Sequence, residues 1–219
     1  VGHTVIFALL LGLAHARTID GQERSQKQEK ASLATTNVIT TPFDLNAQLH
    51  AAQPGDTIYV PAGVYEGNFV IDKKLVLLGQ GFPVLNGKGK GSCLVIKADS
   101  CVIQGFVIES CGALLVEEDA GILIKSSNNI ITGNTLRDVL FGIYFFQAHH
   151  NTITENRIVG RKQLELGERG SGVHLWNSRA NRLLGNVITD VRDGFYIQNA
   201  SQTHIERNEG FGVRYGLHY

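Results

Sequence analysis

The sequence contains no methionine, only four prolines and one tryptophan, and it carries no excess of charge of either sign. Its 20 lysines and arginines balance 20 aspartates and glutamates, so the formal net charge is zero. Surfaces that bind nucleic acid or an anionic membrane usually show a basic excess, and none is present. The apolar run from Val5 to Leu13 is too short to span a bilayer. We therefore expect no nucleic-acid partner and at most a peripheral contact with a membrane.

The first 41 residues lack the pattern of a folded domain. The apolar run is followed by Ala14-His15-Ala16, which has the small-x-small form of a signal-peptidase site. We interpret residues 1–16 as a truncated secretory signal peptide and residues 17–41, which are mostly polar, as a flexible leader. A folded domain is expected over residues 42–219. Because the sequence starts at Val1 and stops within a repeat, we expect a fragment that lacks both ends.

Three cysteines, Cys93, Cys101 and Cys111, lie close together in the sequence. None of them is placed with another cysteine or a histidine at the spacing of a zinc site. An odd number in an oxidising compartment leaves at least one thiol unpaired within the chain. We expect all three to be small buried residues.

Three columns of residues recur with a shared spacing in the second half of the chain. Two columns of mainly asparagine have intervals of 22, 30 and 22 residues, and a column of glycines has intervals of 30, 22 and 22. The eight extra residues fall between Val159 and Gly172, which predicts a loop there. The columns are Asn134, Asn156, Asn186 and Asn208; Asn129, Asn151, Asn181 and Thr203; and Gly142, Gly172, Gly194 and Gly216.

Each repeat contains short segments of alternating polarity, broken by asparagine, glycine or aspartate. A unit of this length cannot bury its own apolar face, whereas stacked units can. The pattern predicts an all-β fold, a single-stranded right-handed parallel β-helix, with roughly seven coils. The few prolines and many glycines agree, because proline removes a donor from the strand ladder and glycine permits tight corners.

The first half of the chain follows the repeat less regularly. Gly105 aligns with Gly133 at a spacing of 28, and the strand that starts at Leu94 aligns with the one after Gly121. Before these, the segment 44–52 predicts a short helix with Asp44 as its N-cap. An open β-helix end exposes strand edges, so we expect this helix to cover the first coil.

Several segments resemble known families. PGDTIYVPAGVYEG, at 54–67, is similar to the first coil of pectin-lyase-like and CASH-domain β-helices. The segments GSGVHLWNSRANRLLGN, VRDGFYIQNAS and VRYGLHY resemble the NosD family, and together the likeness runs from about residue 42 to the end. The family's β-helix continues well beyond the point where this sequence stops.

The resemblance to NosD implies a function as well as a fold. Members of that family are exported accessory proteins of nitrous oxide reductase maturation. They act with an ABC transporter, made of permease and ATPase subunits, in copper supply to the reductase. The resemblance therefore implies a periplasmic location in a Gram-negative bacterium, copper as the metal, and partners that include the transporter, a copper chaperone lipoprotein and nitrous oxide reductase.

One column of side chains is predicted to point outward from the coils. Residues one and three steps after the column glycines are apolar and should face the interior, so the residue two steps on should face out. We call this the outward column: Leu123, Tyr144, His174, Tyr196 and His218. Exposed aromatic side chains in a contiguous array usually mark contacts. Hence Tyr144, His174, Tyr196 and His218, with Arg192 and Arg214 beside them, are predicted to form an interaction surface or, alternatively, to stabilise the coils by stacking.

His174 and His218 are the candidate copper ligands, since imidazole is an acceptable ligand and no methionine is available. The β-helix model places them two coils apart, roughly 10 Å, with Tyr196 between them. One ion could not bind both directly without rearrangement or a third group. The adjacent His149 and His150 are interpreted as turn residues.

The alternative function is a carbohydrate-active β-helix protein, such as a polysaccharide lyase, hydrolase or epimerase. That chemistry needs paired carboxylates, or a base beside a neutralising cation. Asp138, Asp190 and Asp193 lie near corners, but the positions equivalent to Asp193 in the adjacent coils are Ser171 and Tyr215. We therefore expect no enzymatic activity, because only the fold supports the alternative.

Overall fold

The computed structural model describes residues 43–219, in which 21 short strands wind into stacked coils. The regions interpreted as signal peptide and leader lie outside the described residues. Helix α1 spans Leu45–Ala51, and two single-turn 3₁₀ helices span Leu115–Glu117 and Leu166–Glu168. In the described part of the chain, no helix is both long enough and apolar enough to cross a membrane.

The strands form three seven-stranded sheets, and every pairing in them is parallel. The first sheet contains β1 (Thr57–Val60), β4 (Val76–Gly79), β7 (Val102–Gln104), β10 (Ile130–Thr132), β13 (Thr152–Thr154), β16 (Arg182–Leu184) and β19 (His204–Glu206). The second contains β2 (Val64–Glu66), β5 (Val84–Asn86), β8 (Val107–Glu109), β11 (Thr135–Arg137), β14 (Arg157–Val159), β17 (Val187–Thr189) and β20 (Glu209–Phe211). The third contains β3 (Phe69–Ile71), β6 (Leu94–Ile96), β9 (Ala120–Ile124), β12 (Phe141–Phe146), β15 (Val173–Trp176), β18 (Asp193–Gln198) and β21 (Tyr215–His218).

Each coil contributes one strand to each sheet, so the seven coils expected from the repeat are confirmed. The core is built by alternation, because the middle residue of a three-residue strand points inward and stacks on its equivalent in the next coil. Ile131, Ile153 and Leu183 form one such inner row and are fully buried. The expected spacing of 28 in the first half is also confirmed, since Val107 pairs with Thr135 and Leu94 with Ile122.

The asparagine columns are buried hydrogen-bonded ladders. The side-chain oxygen of Asn156 accepts hydrogen bonds from the backbone nitrogen of Asn134, at 3.0 Å, and from its side-chain nitrogen, at 3.1 Å. Asn186 receives the same pair from Asn156, and Asn208 receives it from Asn186. Burial of these amides is tolerated because their partners are supplied by the neighbouring coil.

The glycine column marks a close approach between backbones. A Cβ atom on Gly142 would lie 2.3 Å from the carbonyl oxygen of Gly172, and one on Gly194 would lie 2.6 Å from that of Gly216. These glycines are therefore required by the space between coils, in addition to the corner role expected from the sequence.

Helix α1 begins and packs as the sequence predicts. Asp44 Oδ1 accepts a hydrogen bond from the backbone nitrogen of Ala47 at 3.1 Å, and Leu45 and Leu49 are buried. Lys73 Nζ, on the first coil, donates to the carbonyl oxygens of Leu49, His50 and Ala52 at the C-terminal end of the helix. A cation at this end is favoured by the helix dipole.

Two loops, residues 112–119 and 160–170, leave the coils between the second and third sheets. The second is the insertion predicted from the repeat. Arg161, which is 8% exposed, joins the two loops. Its Nη1 donates to the carbonyl oxygen of Gly112 at 3.0 Å, and its Nε donates to Asp138 Oδ1 at 3.1 Å.

All three cysteines are fully buried, as expected, and all three are free thiols. Burial raises the pKa of the Cys93 thiol to about 12 and that of Cys111 to about 11. Both are therefore protonated at neutral pH, and a protonated thiol is neither a strong nucleophile nor a ready metal ligand.

Candidate interaction surface

The outward column is a continuous stack of rings on the outer face of the third sheet. The pairing of β12, β15, β18 and β21 brings Tyr144, His174, Tyr196 and His218 into register. The ring centroids are 4.5 Å apart for Tyr144 and His174, 4.7 Å for His174 and Tyr196, and 4.6 Å for Tyr196 and His218. These distances lie within the range of favourable aromatic contacts.

The expectation that the whole column is exposed is wrong for Tyr144 and His174, which are 2% and 6% exposed. Loop 112–119 returns over the third sheet, and Glu118 accepts a hydrogen bond from the hydroxyl of Tyr144. The free outer surface is therefore concentrated at Tyr196 and His218. The sequence repeat contains no signal for this covering because the loop lies outside the repeated columns.

His174 is a neutral imidazole held inside the stack. Its Nε2 lies 3.2 Å from Gln198 Oε1, and an amide oxygen can only accept, so Nε2 carries the hydrogen. The pKa of His174 is lowered to about 4, mainly by burial; the bond to Gln198 opposes the change and the nearby charge of Arg192 adds to it. Gln198 belongs to this environment, although the sequence analysis did not single it out.

A buried carboxylate organises the end of the outward column. Asp193 is fully buried, and it accepts hydrogen bonds from Arg214 Nε at 3.0 Å and Arg214 Nη2 at 2.8 Å. His218 Nδ1 lies 3.1 Å from Asp193 Oδ2. Arg214 also lies over the ring of Tyr215, with 4.9 Å between the guanidinium carbon and the ring centroid. Asp193 thereby fixes the orientation of both His218 and Arg214.

The ionisation of Asp193 follows from these contacts. Burial alone would raise its pKa, but the hydrogen bonds from Arg214 and His218 outweigh burial and hold the pKa below its usual value. Because the pKa is lower in the folded chain than in the unfolded one, the carboxylate stabilises the fold above about pH 4. That contribution is lost as the pH falls through the folded-state pKa.

We expect Asp193→Asn to lower the free energy of unfolding at pH 7 by about 2 kcal/mol, since charged hydrogen bonds are lost. The deficit relative to the wild type should shrink as the pH falls below about 4 and should be smallest below the lowered folded-state pKa, where the wild-type carboxyl is also neutral. Urea denaturation at pH 7 and at several pH values from about 4 down to about 2 gives the deficit at each pH. Asp190→Asn is the matched control, because Asp190 occupies a left-handed corner that asparagine also accepts. A deficit that does not change with pH would contradict the assignment.

The two candidate copper ligands remain a prediction, and their geometry limits what they can do. The ring of Tyr196 separates His174 from His218, as expected. Across residues 43–219, no three side chains of histidine, cysteine, aspartate or glutamate gather in a way that could hold a metal ion. His218 is the more accessible imidazole, with 35% of its side chain exposed.

Asp138, another of the carboxylates considered in the sequence analysis, has structural partners. Asp138 accepts hydrogen bonds from Arg161 and Ser110 at the corner between the second and third sheets. The pairing of Asp193 with Tyr215 confirms the register used to compare adjacent coils. His150 has a left-handed backbone conformation, and His149 Nδ1 accepts a hydrogen bond from the backbone nitrogen of Arg179, which fits their interpretation as turn residues.

Comparison with known proteins agrees with the architecture. A family model described as right handed beta helix region matches residues 84–219. The match and the three stacks of parallel strands define a right-handed parallel β-helix protein, the class expected from the sequence. The chain belongs to this right handed beta helix family, and its curated homologues are NosD proteins. The resemblance noted in the sequence is confirmed.

Two of these relatives carry the name "Probable ABC transporter binding protein NosD". The protein from Pseudomonas aeruginosa is 35% identical over 135 residues, which make up 61% of this chain and 32% of the relative. The one from Stutzerimonas stutzeri is 31% identical over 137 residues, or 62% of this chain and 31% of the relative. The matched region therefore covers about a third of the length of these curated relatives.

Among solved structures, the chain is similar to an alginate lyase from Paenibacillus sp. str. FPU-7. The TM-score is 0.64 at 22% identity, with 75% of this chain and 62% of the lyase covered. At this level of identity the likeness concerns the fold alone.

Proposed function

We propose that the chain is part of an exported, periplasmic accessory protein that acts with an ABC transporter in copper supply to nitrous oxide reductase. The observation that carries the proposal is the similarity to proteins named as ABC transporter binding proteins, which extends over 61% of the chain. Copper is treated as cargo in this proposal. The transporter permease and ATPase, a copper chaperone lipoprotein and the reductase are the proposed partners.

The surface proposed to contact the transporter is the more exposed part of the outward column. Tyr196, His218, Arg192 and Arg214 lie together there, supported from below by Asp193. Tyrosine and arginine are enriched where interface residues contribute most binding energy. Tyr144 and His174, which were included in the surface predicted from the sequence, support the stack from within.

The proposal assigns no catalytic step to the chain. Asp193 is buried and bonded to Arg214 and His218, and its equivalents in the adjacent coils are Ser171 and Tyr215. A lyase or hydrolase would need an available acid or base beside its substrate.

The first test is genetic and concerns the function as a whole. The gene for this protein is deleted in a strain whose reductase gene is intact. The reductase purified from that strain should be poor in copper, as measured by elemental analysis. A reductase with normal copper content in the deletion strain would contradict the maturation role.

The second test concerns the surface. His218→Phe keeps a ring stacked on Tyr196 but removes both nitrogens, and it should weaken co-purification with the transporter by about tenfold or more if His218 is central to the contact. His204→Ala is the control, because His204 is an exposed histidine on the first sheet, bonded only to Glu206. Equal recovery of the transporter with His218→Phe and the wild type would make the column a purely structural stack.

A further inference from the structure

A second column of side chains lies beside the outward column on the third sheet. Lys125, Phe146 and Trp176 occupy it in successive coils, because Phe145 pairs with Ile124 and Phe146 pairs with Trp176. Lys125 Nζ lies 5.0 Å from the ring centroid of Phe146, and the ring centroids of Phe146 and Trp176 are 4.6 Å apart. A cation and two rings are therefore stacked along the axis of the solenoid.

The corner that follows this column adds two more groups that donate hydrogen bonds. The backbone nitrogen of Arg179 donates to His149 Nδ1 at 3.2 Å, so Nε2 of His149 carries the ring hydrogen and can only donate. Lys125 and Arg179 are exposed, and neither forms a salt bridge within residues 43–219. We give the name cationic ledge to Lys125, Phe146, His149, Trp176 and Arg179.

The cationic ledge lies in a part of the chain that has no carboxylates. The whole chain contains as many acidic as basic residues, yet no aspartate or glutamate occurs in four successive segments around this corner. These segments are 125–129, 146–151, 176–180 and 198–202. Asp99 lies one coil below them, and its Oδ1 accepts a hydrogen bond from the backbone nitrogen of Ser127 at 2.7 Å. The ledge therefore presents positive charge that its own segments do not neutralise.

The stacking of the rings indicates which kind of anionic partner the ledge fits. Sugar rings pack on the faces of aromatic side chains, but Lys125 and Trp176 cover the two faces of Phe146. The edges of stacked rings carry partial positive charge and attract oxygen atoms. Phe146 and Trp176 are only partly exposed, so neither ring projects far enough to insert into a bilayer. These features favour a protein segment that carries carboxylates.

We propose that the cationic ledge binds an extended acidic segment of a partner protein, with carboxylates of that segment on Lys125 and Arg179. These two residues are two coils apart, about 10 Å along the axis. Carboxylates on alternate residues of an extended peptide lie about 7 Å apart on one face, and the long side chains of lysine and arginine cover the difference. The indole nitrogen of Trp176 and Nε2 of His149 donate to oxygens between them. The site needs neither copper nor the transporter contact proposed above.

Trp176 is the only tryptophan in the chain, so its fluorescence is a direct measure of binding at the ledge. The probe is a capped hexapeptide of alternating glutamate and serine, and the control peptide has glutamine in place of each glutamate. Titrated into the 219-residue chain at low ionic strength, the acidic peptide should change the Trp176 emission saturably. The change should disappear in about 0.5 M salt, which screens exposed charge pairs. The glutamine peptide should leave the emission unchanged.

Substitutions at the two cations test the contacts with the carboxylates. Lys125→Gln and Arg179→Gln should each weaken binding of the fluorescein-labelled acidic peptide about threefold, and the double variant about tenfold, as measured by fluorescence anisotropy. The double variant Lys162→Gln, Arg207→Gln is the matched control, because it removes two exposed cations that lie outside the ledge. It should bind the peptide as the wild type does.

Several results would overturn the proposal. They are no saturable response to the acidic peptide, an equal response to the glutamine peptide, and an equal loss of affinity in the two double variants. Tighter binding of trigalacturonate than of the acidic peptide would identify a polysaccharide surface instead. Binding to vesicles of phosphatidylglycerol and phosphatidylcholine without binding to the peptide would identify a membrane surface instead.

Discussion

Gly142→Ala is expected to destabilise the described solenoid by about 3 kcal/mol, a cost typical of severe overpacking. The new Cβ would lie 2.3 Å from the carbonyl oxygen of Gly172 and 2.5 Å from Cγ2 of Ile158. The first of these atoms belongs to the backbone of the next coil, so a change of side-chain rotamer cannot relieve the contact. Urea denaturation followed by circular dichroism measures the loss of stability.

Gly167→Ala is the matched control for this substitution. Gly167 lies in loop 160–170, and its Cβ would have no atom within 4 Å, so the free energy of unfolding should change by less than about 0.5 kcal/mol. Similar stability of Gly142→Ala and Gly167→Ala would show that the coils can separate without cost, contrary to the close approach described above.

Asn156→Ala is expected to reduce the free energy of unfolding by about 3–5 kcal/mol, because it leaves several buried groups without partners. The backbone and side-chain nitrogens of Asn134 lose their shared acceptor, and the carbonyl oxygen of Ile131 loses a donor at 2.9 Å. Asn156 is 1% exposed, so water cannot easily replace these bonds. Equilibrium unfolding in urea gives the value.

Asn46→Ala serves as the comparison for the ladder. Asn46 is exposed on helix α1, where alanine is the better helix former, so the substitution should be neutral or slightly stabilising. Amide exchange adds a local readout: protection should fall at Asn134 and Asn156 before it falls in the first coils. If Asn156→Ala lowers the free energy of unfolding by less than about 1 kcal/mol, the asparagine ladder is aligned with the register of the coils but does not stabilise it.

The repeat in the sequence predicted the register of the second half of the chain. The asparagine and glycine columns gave the spacing between coils, and the pairings of Ile143 with Val173 and Phe195 with Leu217 follow that spacing. This worked because each coil contacts only its neighbours, so one period determines every strand pairing. The N-cap of α1 could also be predicted from the sequence, because capping depends on residues that are close in sequence.

The first half was harder to align because its columns contain other residue types. Cys101 and Phe106 stand where later coils have asparagine, and only their backbone nitrogens join the ladders, by donating to Asn129 Oδ1 and Asn134 Oδ1. The side chains of cysteine and phenylalanine lack the amide oxygen that would accept hydrogen bonds from the coil before them. The two side-chain ladders therefore begin in the fourth coil, and the sequence signal weakens before it.

The state of the outward column was predictable only in part. Alternation predicted which residues face outward, and the stacked rings agree with it. Burial of Tyr144 depends on Glu118 in a loop that has no counterpart in the repeat. The contacts of Asp193 depend on the directions of side chains at a corner, and the repeat in the sequence does not specify those directions.

Loops 112–119 and 160–170 both leave the coils at the corner between the second and third sheets, so this corner accepts segments of different length. Asn129, Asn151 and Asn181 keep the coils in register whether the interval between them is 22 or 30 residues. Length can therefore be added at this corner without shifting any strand. Relatives can differ in what projects over the third sheet while the sheets beneath stay the same, so the scaffold and the surface it presents are able to evolve separately.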